Sequence, residues 1–299
     1  MHIRVLGAAA GGGLPQWNCR CEVCRLAWAG DPRVTPRTQS SIAVSADGHS
    51  WALINCAPEV LTQIRQTPAL FPQQGRRHTP IASVLVTNGD IDHIGGLLSL
   101  RESSPYRLYA TPEIHAALGD SPVFNVLNPD HVERCGVELE QTLELAEGLE
   151  ARIFAVPGKA ALYLEGDDVE IGGEGEATVG VEFRVGERRA YYIPGCATLT
   201  ERLAARLEGA DLVMFDGTLW RDDEMIRAGV GHKTGQRMGH MSMAGNDGSM
   251  AALASLNLGR RVFVHINNTN PVLIEGSPER QEAERQGWEI SYDGMELEC

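Results

Sequence analysis

The chain has 299 residues, 43% of them hydrophobic, and a formal net charge of -14 at pH 7. That length and apolar content fit one large core, so residues 1–299 are read as a single domain. The acidic surplus argues against an electrostatic nucleic-acid partner, and no apolar run reaches the ~18 residues expected of a membrane span. The N-terminus has neither a basic n-region nor a long apolar h-region, which points to a cytoplasmic protein.

In chain order, residues 2–6 predict a strand and 7–13 a glycine-rich turn. That turn lacks the Gly-x-Gly-x-x-Gly spacing of a dinucleotide site. Residues 41–45 and 51–55 alternate like hairpin arms around Asp47-Gly48. Residues 58–66 predict a helix with proline in its first turn, 81–87 a buried strand, and 94–101 a helix. Strand then helix recurs at 106–110 and 112–118. Strands follow at 152–156, 178–185 and 190–194. The acidic stretch 165–176 between them reads as a solvated loop or hairpin, since its acids do not follow a calcium-loop spacing. The second half gives a helix at 201–208, a strand at 212–215, a helix at 248–256 and a strand at 261–264. A helix at 278–286 and a last strand at 288–292 complete it. Two β-rich halves with flanking helices predict an αβ/βα sandwich.

A divalent metal needs several donors converging on one point from rigid backbone. Three apolar strands end in such donors: Asp92 with His93, Asp216, and His265. His240 sits in Met238-Gly-His-Met-Ser242, ahead of a helix. Taken singly, His265 reads as a hydrogen-bonded core histidine and either aspartate as a cap. Taken together, imidazoles and carboxylates at successive strand ends predict a metal site. Cys19-x-Cys21-x-x-Cys24 places three thiols in one tight turn, the corner of a tetrahedral zinc site, with three buried reduced thiols as the alternative. Seven cysteines, an odd number, argue against a disulfide framework.

The stretch Asn88-Gly-Asp-Ile-Asp-His93 resembles the His-x-His-x-Asp-His signature of metallo-β-lactamase-like hydrolases, with Asn88 and Asp90 in place of the two leading histidines. Further segments run from end to end: Gly11-Gly-Gly-Leu-Pro-Gln-Trp-Asn-Cys-Arg-Cys-Glu-Val-Cys24, Val156-Pro-Gly-Lys159, Tyr192-Ile-Pro-Gly195, Phe215-Asp-Gly-Thr-Leu-Trp220, Gly239-His-Met-Ser242 and His265-Ile-Asn-Asn-Thr-Asn-Pro271. Together they resemble the pyrroloquinoline quinone (PQQ) biosynthesis protein B family. The resemblance implies an α/β fold, the metallo-β-lactamase-like αβ/βα four-layer sandwich, over the whole chain.

Superfamily hydrolases usually hold two metals. Here Asn88 and Asp90 replace two ligands of the first site, and Val156-Pro-Gly-Lys159 offers no histidine, so the resemblance implies that this site is lost. The second keeps Asp92, His93, Asp216 and His265 around one active-site metal. Mixed imidazole and carboxylate donors favour iron(II), with zinc also accepted. The family's implied reaction is iron- and oxygen-dependent hydroxylation of the tyrosine ring of a PQQ precursor made from a Glu/Tyr peptide. His240 and Asp90 are then catalytic candidates, His240 as a polar contact or proton donor. Lys159 and Asn88 are candidates for binding the acidic substrate, with Arg37 a weaker cation. A structural zinc takes Cys19, Cys21 and Cys24. Related phosphodiesterases supply a histidine where this chain has Asn268, so an Asn268 oxygen, a water or His240 closes that site. Other PQQ-pathway proteins are expected partners. Two other functions stay open, a carrier of PQQ or its precursor towards the periplasm and a metallohydrolase.

Overall fold

Alternate residues of the central strands are buried on opposite faces. In Leu212–Asp216, Leu212 and Met214 face one apolar core while Val213 and Phe215 face another. Strand geometry sends successive side chains to opposite faces, so a strand buried on both reads as an unbroken apolar run. The computed structural model describes residues 1–164 and 171–299. Its first six strands are β1 (His2–Gly7), β2 (Ser41–Ser45), β3 (Trp51–Ile54), β4 (Ile81–Leu85), β5 (Tyr106–Ala110) and β6 (Val132–Gly136). The next seven are β7 (Thr142–Ala146), β8 (Leu149–Gly158), β9 (Gly173–Val185), β10 (Arg188–Ile193), β11 (Leu212–Asp216), β12 (Arg260–Val264) and β13 (Trp288–Ile290). The last, β14 (Glu296–Glu298), pairs with β1. One sheet runs β14-β1-β2-β3-β4-β5-β6 and the other β13-β12-β11-β10-β9-β8-β7.

The two sheets close on a shared core that includes Ile3, Ile42, Leu85, Ile153, Val181, Met214 and Val262. Helices cover both outer faces. Val60 of α1 (Val60–Gln66) and Ile114 and Leu118 of α2 (Pro112–Gly119) pack on the first sheet. Leu203 and Leu207 of α3 (Glu201–Leu207), with Ala283 of α4 (Pro278–Arg285), pack on the second. The layers are therefore helix, sheet, sheet, helix: the αβ/βα sandwich.

Several elements differ from expectation. Residues 94–101 do not form one helix. A single α-turn, Ile91–Ile94, lies inside the motif itself and a tighter 3-10 segment, Gly95–Leu100, follows. The Gly96 amide bonds the Cys56 carbonyl at 2.9 Å, and a Cβ at Gly96 would lie 2.1 Å from the Ala57 carbonyl oxygen. Close approach to residues 56–57 thus replaces regular helical bonding. Residues 248–256 hold one turn, Ser249–Ala252. Residues 288–292 are not the last strand, because β14 follows β13. In the stretch 165–176, residues 165–170 lie outside the described residues, and 173–176 already belong to β9. Among the described residues no helix is long and apolar enough to cross a membrane.

Candidate metal centre

The strand ends converge. Parallel pairing of β11 with β12 sets Asp216 beside Val264, so His265 leaves β12 next to Asp216. His265 adopts φ +55, a left-handed conformation that histidine enters more readily than bulky residues. From the other sheet, the turn after β4 brings Asp92 and His93. His265 Nε2 lies 3.1 Å from Asp92 Oδ2 and His93 Nε2 3.8 Å from the same oxygen. Two metal-capable triads result, Asp92–His93–His265 and Asp216–His240–His265, and they share His265. The glycine loop closes beside them: a Cβ at Gly11 would lie 3.6 Å from Asp92 Oδ2.

Each imidazole is oriented from behind. Asn88 Oδ1 sits 2.6 Å from His93 Nδ1, which fixes Nδ1 as the protonated nitrogen. The opposite nitrogen, Nε2, is buried and has no hydrogen-bond partner. A buried polar atom left unsatisfied calls for an explanation, and a lone pair aimed at a carboxylate and a second imidazole fits a metal ligand. His240 Nδ1 lies 2.7 Å from Asp216 Oδ2. Asp216 Oδ2 also accepts from Cys196 N at 3.0 Å, while Oδ1 accepts from Thr218 N at 3.0 Å and Thr218 Oγ1 at 2.6 Å. With about four acceptor positions on a carboxylate, an ion bound by Asp216 must displace one donor.

Burial alone would raise both aspartates, but neighbouring imidazoles hold them below the usual carboxylate range: His93 and His265 for Asp92, His240 and His265 for Asp216. Burial drives His93 down and dominates there. Burial also works against charge on His265, but its bond to Asp92 and the charges of Asp92 and Asp216 carry it above its ordinary value.

The remaining residues singled out from sequence fall around this centre. Asp90 stands at the start of the α-turn Ile91–Ile94. Asn88 commits its side-chain oxygen to His93 and to Asp90 N, the latter at 3.0 Å, which leaves only its Nδ2 to face a substrate. Lys159 lies against the turn that carries His240: a Cβ at Gly239 would lie 3.2 Å from Lys159 Cγ. Its Nζ donates to Ala160 O at 3.0 Å. Arg37 is buried elsewhere, lining a cavity of about 450 Å³ with Leu6, Leu14, Thr38 and Asp293, none of which belongs to either triad. The three cysteines meet as a knuckle around Asn268. Its Nδ2 lies 3.2 Å from Cys19 Sγ, 3.2 Å from Cys24 Sγ and 3.7 Å from Cys21 Sγ. Burial pushes the Cys21 thiol up to about 12.

Sequence reasoning passed over two buried residues here, Thr218 and Glu224. Glu224 Oε2 accepts from Trp220 N at 2.7 Å, and Oε1 accepts from Thr269 Oγ1 at 2.5 Å, pinning the loop that carries His265 and Asn268. Nothing in the spacing of Glu224 marked it, because Thr269, the partner through which it holds that loop, is remote in sequence. Burial pushes its carboxyl from 4.5 up to about 7. The folded state therefore holds this proton to higher pH than the unfolded state. The group's contribution to stability is complete below about 4.5 and is lost as pH rises to about 7. At about 1.4 kcal/mol per pH unit the loss is on the order of 3 kcal/mol. Glu224→Gln removes the titration, so its melting temperature relative to the parent should climb between pH 5 and 8. A difference that stays flat over that range contradicts this account.

Two αβ layers face to face, with imidazoles and carboxylates at the strand ends, define a metallo-β-lactamase-type protein. Residues 50–266 match the family described as β-lactamase superfamily domain. The chain is 57% identical over 298 residues, all of both chains, to coenzyme PQQ synthesis protein B of Methylorubrum extorquens (strain AM1). It is 52% identical over 297 residues to that of Rhizobium meliloti (strain 1021), covering 99% of this chain and 97% of the relative. A crystal structure of Zn(2+)-bound PqqB from Methylobacterium extorquens superposes with a TM-score of 0.99 at 56% identity over the whole of both chains. The chain belongs to the coenzyme PQQ synthesis protein B family. A diphosphatase of the PhnP family shares the fold, with a TM-score of 0.69 at 21% identity over 100% of this chain and 97% of that one.

Proposed function

We propose that this protein acts in PQQ synthesis as an iron-dependent oxygenase, hydroxylating the tyrosine ring of a small precursor derived from a Glu/Tyr peptide. The observation that carries the reading is His93 Nε2, buried without a partner beside Asp92 and His265. Asp92, His93, Asp216 and His265 hold one ion, iron(II) in the working protein and zinc as its competitor. Donors of mixed imidazole and carboxylate, without thiolate, suit iron(II). Bound iron would supply the activation of oxygen, with a two-electron donor as co-reactant, so that one oxygen atom enters the ring and the other leaves as water.

The chain's own groups do the rest. Asp92 and Asp216 offset the charge of a dication, and Asp216 joins by releasing one of its donors. His240, with Nδ1 donating to Asp216, offers Nε2 as an accepting polar contact while neutral, and as a proton donor once the ring is imidazolium. Asp90 accepts the proton that leaves the ring. Lys159 and Asn88 Nδ2 hold the acidic substrate. In the knuckle, Cys19, Cys21 and Cys24 bind a structural zinc, closed by Asn268 with its amide turned so that Oδ1 faces the ion. We read residues 1–299 as one domain, because the core between the sheets draws on both ends of the chain. None of the seven cysteines is joined in a disulfide, which favours the cytoplasm.

Metal-free protein reconstituted with iron(II) and given oxygen and a two-electron reductant should hydroxylate a tyrosine-containing intermediate and consume oxygen, while the zinc-loaded protein stays inactive. Equal activity with zinc, or activity without oxygen, would make the centre a Lewis-acid site and return the hydrolase reading.

A further inference from the structure

Thr218 lies two residues beyond Asp216 and is 4% exposed. Its hydroxyl oxygen is 2.6 Å from Asp216 Oδ1, 2.9 Å from His265 Nδ1, 3.1 Å from His240 Nδ1 and 3.0 Å from the His265 carbonyl oxygen. A hydroxyl has one proton and two lone pairs, so these four neighbours cannot all be bonded. The shortest contact lies in the range of a charge-assisted O–H···O⁻ bond. The proton therefore goes to Asp216. The oxygen can then only accept, and His265 Nδ1 at 2.9 Å is the nearest group able to donate to it. In the neutral imidazole that a metal ligand must be, donation from Nδ1 leaves the lone pair of His265 on Nε2, the nitrogen that lies 3.1 Å from Asp92 Oδ2.

From this arrangement we infer that Thr218 is a positioning residue: its hydroxyl sets the tautomer of His265 and locks that imidazole to Asp216. The inference rests on the reading of His265 as a metal ligand. It explains how one histidine serves both triads. One oxygen, Thr218 Oγ1, touches the side chains of Asp216, His240 and His265, so it links the three groups where β11 and β12 end side by side. It also completes a pattern. His93 is oriented by the neutral Asn88 oxygen, His240 by the Asp216 carboxylate, and His265 by a neutral hydroxyl that itself leans on Asp216. A turn-capping threonine would need only the bonds to Asp216; the contacts to two imidazoles have no such purpose.

The test compares Thr218→Val, which keeps the shape without the hydroxyl, with Thr218→Ser, which keeps the hydroxyl. Active-site affinity for Zn(II) is read by chelator competition on the full chain, with Co(II) spectra as a second probe. Losing an outer partner of a ligating histidine costs about 10–100-fold in metal affinity. That loss is expected for Val, while Ser stays close to the parent and both retain the knuckle ion. Histidine-selective ¹⁵N spectra should show His265 as the Nδ1–H tautomer in the zinc-loaded parent and in Ser. Parent-like affinity in Val, a Ser variant as weak as Val, or an Nε2–H tautomer in the parent each overturns the inference. Should Val fail to fold, the parent tautomer still decides. A His265→Asn protein that keeps its active-site zinc would instead overturn the ligand reading beneath it.

Discussion

His265→Asn should leave the protein with its knuckle ion and without its active-site metal. Asparagine is chosen because it tolerates the φ of +55 found at this position, so the backbone is spared while the imidazole is lost. His265 is the one residue common to both triads, so no rearrangement of the other donors rebuilds either set. The affinity loss should exceed the ~10–100-fold that removal of an outer partner costs, and oxygen-dependent turnover should vanish with it. Metal analysis should fall from two ions per chain to one after zinc loading. Two ions retained would remove His265 from the ligand set. Two ions lost, with a collapsed melting transition, would mean the substitution had broken the fold instead.

Cys21→Ser should act on stability first. The three thiols and Asn268 form a buried cluster that ties the N-terminal loop to the loop after β12, and Cys21 Sγ also lies 3.4 Å from the Asn268 carbonyl oxygen. Zinc binding to such a cluster is coupled to folding. Loss of a structural metal belongs among the few mechanisms that cost several kcal/mol. On the order of 3–5 kcal/mol is expected, or roughly 5–8 °C in melting temperature for a chain of this size. The knuckle zinc should be absent from purified protein. Unchanged zinc content together with an unchanged melt would reduce the cluster to three packed thiols. Because Asn268 follows His265 by only three residues, active-site occupancy should weaken as a secondary effect.

The centre was legible where chemistry coincides with strand ends. Asp92, His93, Asp216 and His265 each follow an apolar run, and the fold carries those runs to one place. The clustering of Cys19, Cys21 and Cys24 was legible from their spacing, whereas Asn268 came only as one of three alternatives, through the histidine that related phosphodiesterases carry at that position. What could not be read has physical causes. β6 is largely exposed and lies at a sheet edge, and β14 has one buried residue, Leu297, between two exposed glutamates, so neither shows an apolar pattern. The break at Gly95-Gly96 depends on the carbonyls of Cys56 and Ala57, some forty residues earlier in the chain. Asn88 looked like a group for substrate, yet its oxygen turns inward to His93, a choice set by tertiary placement. Asp216-Gly-Thr218 resembles an ordinary side-chain-capped turn; only the pairing of β11 with β12 reveals that the hydroxyl also meets two histidines.

Residues 265–270 have no regular secondary structure beyond isolated bridging, yet every one is buried. Ile266 N donates to Ala8 O and Asn267 N to Thr218 O; the Asn268 side chain meets the thiols; Thr269 is held by Glu224; Asn270 Nδ2 donates to Gly217 O. Irregular segments ordinarily open at low free-energy cost and exchange their amide hydrogens quickly. This one is pinned residue by residue from four directions, so its opening should require the cooperative unfolding of the strands around it. In the vocabulary of hydrogen exchange it is a loop in shape only, part of the slowest-opening unit of the molecule, and His265 at its head inherits that immobility.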